Sequence, residues 1–175
     1  MSMEFGPATQ NGIVVPDLDA ALAYWTGALA VGPFYRIDRL QSACFHQHGR
    51  EMASPDMSIA LGNWGDLQIE LICPHGEGQS TWHQYLKRTG GGLHHISTWS
   101  SHYERDIDRA IGMGRQIECH GRVQDGPRYT YFQSDIPGQP LLEISELLPQ
   151  SAEIYEHIKG EARNWDGRDA VRSLG

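Results

Sequence analysis

Four polar side chains stand among apolar, strand-like neighbours: Gln10, Glu70, His95 and Glu143. Side chains alternate across a strand, so Glu70 shares a face with Gln68 and Ile72, while Leu67, Ile69 and Leu71 turn the other way. Glu143 opposes Leu142 and Ile144 in the same manner. Taken singly, either carboxylate reads as the wet side of a half-buried strand. Taken together they read differently, because they occupy matching places in two similar segments, LQIELICP and LLEISELLP. If both segments bound one cavity, the two carboxylates would need a cation or a proton to compensate them. An amide oxygen, two carboxylates and one imidazole nitrogen form a mostly hard donor set for a six-coordinate divalent metal, with zinc, nickel, cobalt, manganese and iron(II) all admissible. Positions left open on such an ion would accept the oxygens of a small carbonyl substrate. A weakly held carboxylate can also take a proton, which makes Glu143 and Glu70 the candidate general bases.

Other residues carry weaker signals. His46 and His48 alternate with Cys44 along an expected strand, so they either line the cavity beside the substrate or lie on the surface. Tyr129 and Tyr131 share a face within RYTYFQ and are substrate-binding candidates through their hydroxyls, ordinary sheet packing being the other reading. His94 is expected to point away from His95 on an extended strand and to serve in packing or in support of the metal ligand. Gly90 to Gly92 do not form a phosphate loop, since no Lys-Ser or Lys-Thr follows and a strand comes next.

The elements that must position these residues are legible in outline. A strand over Gln10 to Val15 is closed by Pro16, and Asp17 is the expected N-cap of a helix whose core face is Leu18, Ala21, Leu22, Trp25 and Leu29. Extended stretches follow at Phe34 to Leu40, Cys44 to His48, Met57 to Leu61 and Leu67 to Cys73. The order then repeats: a strand at Leu93 to Thr98, a helix from about Ser101 to Gly112, and strands near Gln116 to His120, Arg128 to Gln133 and Leu141 to Ser145. A repeat of about 80 residues suits two modules that curl around one cavity. Thr81 to Arg88 is expected as a short helix between them, and Ala152 to Trp165 as a helix docked at the C-terminus, with a loose tail after Asp166.

Composition excludes several function classes. A net charge of -8 with scattered Arg and Lys argues against nucleic acid as a partner. No apolar run is long enough to span a bilayer, and MSMEFGPATQNG lacks the features of a secretory leader, so no membrane partner and a cytoplasmic location are expected. Cys44, Cys73 and Cys119 suggest neither a disulfide framework nor a cysteine-rich zinc site.

The pattern VVPDLDAALAYW after Gln10, then IELICP, GGLHHIS and LLEISEL, resembles the vicinal oxygen chelate superfamily, which includes glyoxalase I, methylmalonyl-CoA epimerase, extradiol dioxygenases and bleomycin-resistance proteins. The resemblance runs from Gln10 to about Leu148. It implies an α+β fold in a single domain over 1–175, with two tandem βαβββ modules at 8–75 and 91–149 and a C-terminal helix and tail at 150–175. The modules would form a curved mixed sheet around one metal-binding cavity. The epimerases typically place histidine where this chain has Gln10, six residues before the Pro-Asp-Leu turn, whereas eukaryotic-type glyoxalase I uses glutamine, glutamate, histidine and glutamate in this order. GLHHIS is similar to the epimerases, in which the second histidine is the ligand, and this assigns His95. The implied function is a metal-dependent lyase or isomerase that removes a proton beside a carbonyl to give an enediolate or enolate. Family members are commonly homodimers. Ring-cleaving dioxygenase chemistry is disfavoured because it relies on two histidines and one carboxylate, and a bleomycin-resistance-type binding protein is the alternative to an enzyme.

Overall fold

The computed structural model describes residues 4–174. Strand β1 (Gln10–Val14) leads into helix α1 (Leu18–Ala23), where the Asp17 side chain accepts a hydrogen bond from the Ala20 N–H at 2.9 Å. One π-helical turn, Tyr24–Ala28, extends α1, and Leu18 and Leu22 are buried against one side of the sheet with Trp25 and Leu29 packed alongside. Then come β2 (Phe34–Leu40), β3 (Ser42–Gln47), β4 (Arg50–Glu51), β5 (Met57–Trp64) and β6 (Leu67–Pro74). Helix α2 (Thr81–Thr89) ends at Gly90, whose left-handed φ of 77° lets the chain turn out of the helix. The second half is β7 (Gly92–Ser100), α3 (Tyr103–Gly112), β8 (Ile117–Val123), β9 (Arg128–Phe132) and β10 (Leu141–Glu146). Helix α4 (Pro149–Arg163) and strand β11 (Val171–Ser173) complete the chain.

All eleven strands form one mixed sheet, in the order β11-β2-β5-β6-β1-β7-β10-β9-β8-β3-β4. The first strands of the two halves, β1 and β7, lie antiparallel at its centre, and each pairs in parallel with the last strand of its own half, β6 or β10. The expected α+β architecture of two βαβββ arrays around one curved sheet is therefore present.

Two connections depart from the sequence reading. The segment expected as a third strand of the first module crosses over instead: β3 pairs with β8, the outer strand of the second half. Only Gln41 separates the end of β2 from the start of β3, although the two strands lie near opposite flanks of the sheet. The sheet must therefore curl until its flanks nearly meet. The tail after Asp166, expected to be loose, adds β11 in parallel to β2, with Val171 opposite Phe34. Among the described residues no helix is long and apolar enough to cross a membrane.

The centre of the sheet is shaped by one glycine. Gly12 on β1 is the register partner of Glu70 on one side and His95 on the other, so all three residues share a face. A Cβ at Gly12 would lie 1.8 Å from His95 Cε1 and 2.2 Å from Nε2, inside the imidazole ring's own space. His95 is wholly buried and cannot swing aside freely. We expect Gly12→Ala to cost about 1–3 kcal/mol through overpacking, against a smaller gain from strand propensity. At this chain length that corresponds to a melting temperature lower by roughly 3–10 °C. Thermal unfolding followed by circular dichroism checks it, and an unchanged Tm would mean that the ring does not rest on this glycine.

Candidate metal centre

Register places the site. One row crosses the middle of the sheet through Gln68, Gln10, Ser97, Glu143 and Tyr131, each the direct partner of the next on β6, β1, β7, β10 and β9. Direct partners project from the same face, so a row of polar residues is aligned across five strands. The neighbouring row is Glu70, Gly12 and His95. Residues up to 133 positions apart in sequence thus meet because the first and last strands of both halves are the four central strands of the sheet.

The structure brings together the four expected ligands. His95 Nε2 lies 3.2 Å from Glu143 Oε2 and 3.4 Å from Glu70 Oε2. Neither approach is aligned as a hydrogen bond, so Nε2 and Glu143 Oε2 are buried without a hydrogen-bond partner among the described residues. Gln10 Nε2 donates to Gln68 Oε1 at 2.7 Å, which leaves the Gln10 amide oxygen outside that bond. Two ligands held about 2.0–2.2 Å from a shared ion at a right angle stand roughly 3 Å apart, close to the spacing seen around Nε2. Among the described residues no group of three or more His, Cys, Asp or Glu side chains is placed so that it could hold a metal ion. What is present is one imidazole nitrogen within 3.4 Å of two carboxylates, with two of these buried atoms lacking a hydrogen-bond partner.

Electrostatics follow from burial. Desolvation alone would lower the His95 pKa, but the Glu143 and then the Glu70 carboxylates outweigh it and raise it to about 9. Burial pushes the Glu70 carboxyl up, opposed by His95 and reinforced by the charge of Glu143. Burial outweighs the His95 partner, which is why Glu70 stays elevated beside it. Burial, with His95 and Arg88 adding to it, holds His94 well below the usual histidine range, so it is neutral.

His94 corrects an expectation. The pairing of β1 with β7 shifts register between Gly12 and Ile13, where Gly12 faces His95 and Ile13 faces Leu93, leaving His94 as the extra residue of a β-bulge. Strict alternation fails there, and His94 turns beside its neighbour rather than away from it, with its Nδ1 3.1 Å from His95 Nδ1. Its Nε2 meets Thr81 Oγ1 at 3.3 Å. Both nitrogens of His94 are thus engaged, and through Nδ1 it fixes the His95 ring so that Nε2 faces the carboxylates.

A cavity of about 250 Å³ opens over this floor, lined by Gln10, Glu70 and Glu143 at its polar end and by Trp82, Tyr129 and Tyr131 among others. Tyr129 and Tyr131 are thus among the residues that line the cavity. His46 and His48 do not line it. On β3 it is Phe45 and Gln47 that are buried toward the interior, and His46 on the alternate face stacks on His120 with ring centroids 4.7 Å apart. His48 sits in the turn after β3, half exposed, 3.5 Å from Glu118. Of the two placements left open, the structure takes the one outside the cavity: Phe45 and Gln47 are the buried residues of β3.

Sequence reasoning missed three contributors. Gly12 could have been suspected as the lone glycine on a strand of Val and Ile. Ser97 shares the His95 face by simple alternation. Trp82, on α2 between the halves, gave no signal; its buried Nε1 lacks a partner among the described residues.

Comparison with known proteins places the chain in a family. The family model described as the Glyoxalase/Bleomycin resistance protein/Dioxygenase superfamily matches residues 9–132. A comparison with curated proteins returns no match. Among solved structures, the methylmalonyl-CoA epimerase of Mycobacterium tuberculosis is similar at TM-score 0.64 and 19% identity, with 87% of this chain and 96% of that chain covered. A hypothetical protein from Bacillus halodurans matches at TM-score 0.62 and 21% identity, covering 82% of this chain and 96% of that one. A methylmalonyl-CoA epimerase variant of Streptomyces coelicolor, in complex with 2-nitronate-propionyl-CoA, matches at TM-score 0.59 and 17% identity, covering 83% and 96%. At these identities the solved structures speak for the fold alone, but the family model spans well over half of the sequence, and the chain belongs to the glyoxalase/bleomycin resistance protein/dioxygenase superfamily.

Proposed function

We propose that this chain is a metal-dependent lyase or isomerase of the glyoxalase and epimerase type, acting on a small carbonyl compound. The observation that carries the reading is the pair of unpaired buried atoms, His95 Nε2 and Glu143 Oε2, 3.2 Å apart at the floor of a cavity with Glu70 alongside. Gln10, Glu70, His95 and Glu143 would hold one divalent ion; zinc, nickel, cobalt, manganese and iron(II) all suit this donor set. Such an ion, when bound, supplies positive charge to the oxygen of a carbonyl substrate.

The chain's own residues account for the rest of the chemistry. Glu143 or Glu70 takes the proton from the carbon next to the carbonyl; the C–H bond breaks, its electron pair shifts toward the carbonyl oxygen, and the protonated carboxyl then delivers the proton to the neighbouring oxygen-bearing carbon, which leaves the isomerised product and the free carboxylate. The elevated pKa of Glu70 suits a group that must hold a proton for part of the time. His94 keeps His95 in orientation, and the surrounding aromatic wall restricts water, which strengthens interactions within the site. Ring cleavage is not supported, because His94 has no free nitrogen to act as a second histidine ligand. A cytoplasmic homodimer with neither nucleic-acid nor membrane partners completes the reading, and the net charge of -8 supports the exclusion of nucleic acid.

A binding protein that sequesters an apolar molecule is the second reading, favoured by how much of the cavity wall is apolar. Metal decides between them. Addition of manganese or cobalt to chelator-treated protein at about 100 times its Kd should stabilise the fold by about 2.7 kcal/mol. The melting temperature should then rise by roughly 5–10 °C. Glu70→Ala should abolish that rise, and a native protein indifferent to every divalent ion would leave the sequestering role. Glu143→Gln should lower turnover about 10²–10⁴-fold while its Tm stays within a few degrees of the parent. Full activity in that variant would move the proton transfer to Glu70.

A further inference from the structure

The walls of the cavity carry more information than its floor. Among the described residues its lining contains no Lys or Arg, and its charged members are the acids Glu70, Glu143 and Asp125. Away from the candidate metal centre the surface is made by side chains such as Ile37, Met57, Ile59, Ile72, Trp82 and Ile154. An anionic group brought into this space would find no cation to replace the water it gives up, a cost of several kcal/mol.

Size points the same way. A cavity of ~150 Å³ holds one benzene ring. The roughly 250 Å³ here accommodates one ring and a short oxygen-bearing chain. One wall is the chain's own C-terminal helix, which is fastened in several ways. Tyr155 of α4 stacks on Trp99 with ring centroids 4.2 Å apart, and Ile158 is fully buried. His157 Nε2 meets Tyr35 OH at 3.0 Å, and Lys159 and Arg163 pair with Asp66 at 2.9 and 3.3 Å. The second cavity, between α2 and the loop before β10, offers no alternative berth for phosphates, since its one guanidinium, Arg88, shares the lining with Glu118 and Asp135.

Resting on the enzymatic reading above, we infer that the substrate is a compact, uncharged and largely apolar carbonyl compound, built as a single ring with adjacent oxygens on a short chain, and not a coenzyme-A thioester or a glutathione adduct. The oxygens meet the polar floor at Gln10, Glu70 and Glu143. The ring lies among Trp82, Tyr129 and Ile154, where apolar burial provides the affinity.

Isothermal titration of the purified full chain tests this with three probes: acetylbenzoyl, an uncharged phenyl diketone; methylmalonyl-CoA; and the methylglyoxal–glutathione hemithioacetal. Acetylbenzoyl should bind at least about tenfold more tightly than either charged probe. Ile154→Trp, a change at a partly exposed position of α4 that fills the ring's place, should weaken diketone binding about tenfold or more and leave metal content unchanged. Tighter binding or turnover of either charged probe would overturn the inference while leaving the enzymatic reading intact, and so would an unchanged diketone affinity in Ile154→Trp. Diketone binding by a protein that takes up no metal and turns nothing over would support this cavity assignment and remove the enzymatic reading.

Discussion

Two carboxylates at the floor of the cavity meet one buried imidazole, and their charges do not cancel. Glu143 and the wholly buried His95 are 3.2 Å apart, with Glu70 at 3.4 Å on the other side of the same nitrogen. If both acids are ionised and the imidazole is protonated, one negative charge remains; if the imidazole is neutral, two remain. Burying uncompensated charge costs several kcal/mol per ion. The protein meets part of that cost by raising the proton affinity of both His95 and Glu70. A divalent cation, under the reading proposed above, would offset the charge of both acids.

The rest of the architecture serves this cluster. The central strands β6, β1, β7 and β10 each contribute a member of the floor, and Gly12 creates the recess into which the His95 ring fits. The bulge on β7 recruits His94 as a prop for that ring, and α2 anchors the prop through Thr81. The crossing of β3 to the second half holds the curl of the sheet, so that the floor faces a pocket and not open solvent. Helix α4 and Leu174, just after β11, then complete the wall on one side. The floor and most of the wall thus come from the repeated modules, and the wall is closed by Trp82 between them and by Ile154, Tyr155 and Leu174 after them.

Much of this was legible in one dimension. Strand and helix positions followed from alternation, helical spacing, Asp17 as a cap and Gly90 as a stop, because these depend on neighbours within a few residues. The four ligand candidates were found because a carboxylate in a run such as LQIELICP is expensive unless something compensates it, and because the run occurs twice. For His46 and His48 the choice between cavity and surface stayed open for a physical reason. Alternation gives two faces but does not say which one is inside, and that choice depended on the strand that β3 would pair with. His94 was misdirected because a bulge, which breaks alternation, arises from the mismatch between β1 and β7 and not from either strand alone.

By itself, then, the amino-acid order determined which elements form, that they repeat, and which polar residues would be costly to bury. Those are local properties of backbone geometry and side-chain solvation. Tertiary pairing alone decided which strands become neighbours, which face of β3 is interior, and that Trp82, Gly12 and α4 belong to the site. Each of these depends on contacts between segments far apart in sequence, and the energy that selects them is the joint burial of surfaces that no single segment contains.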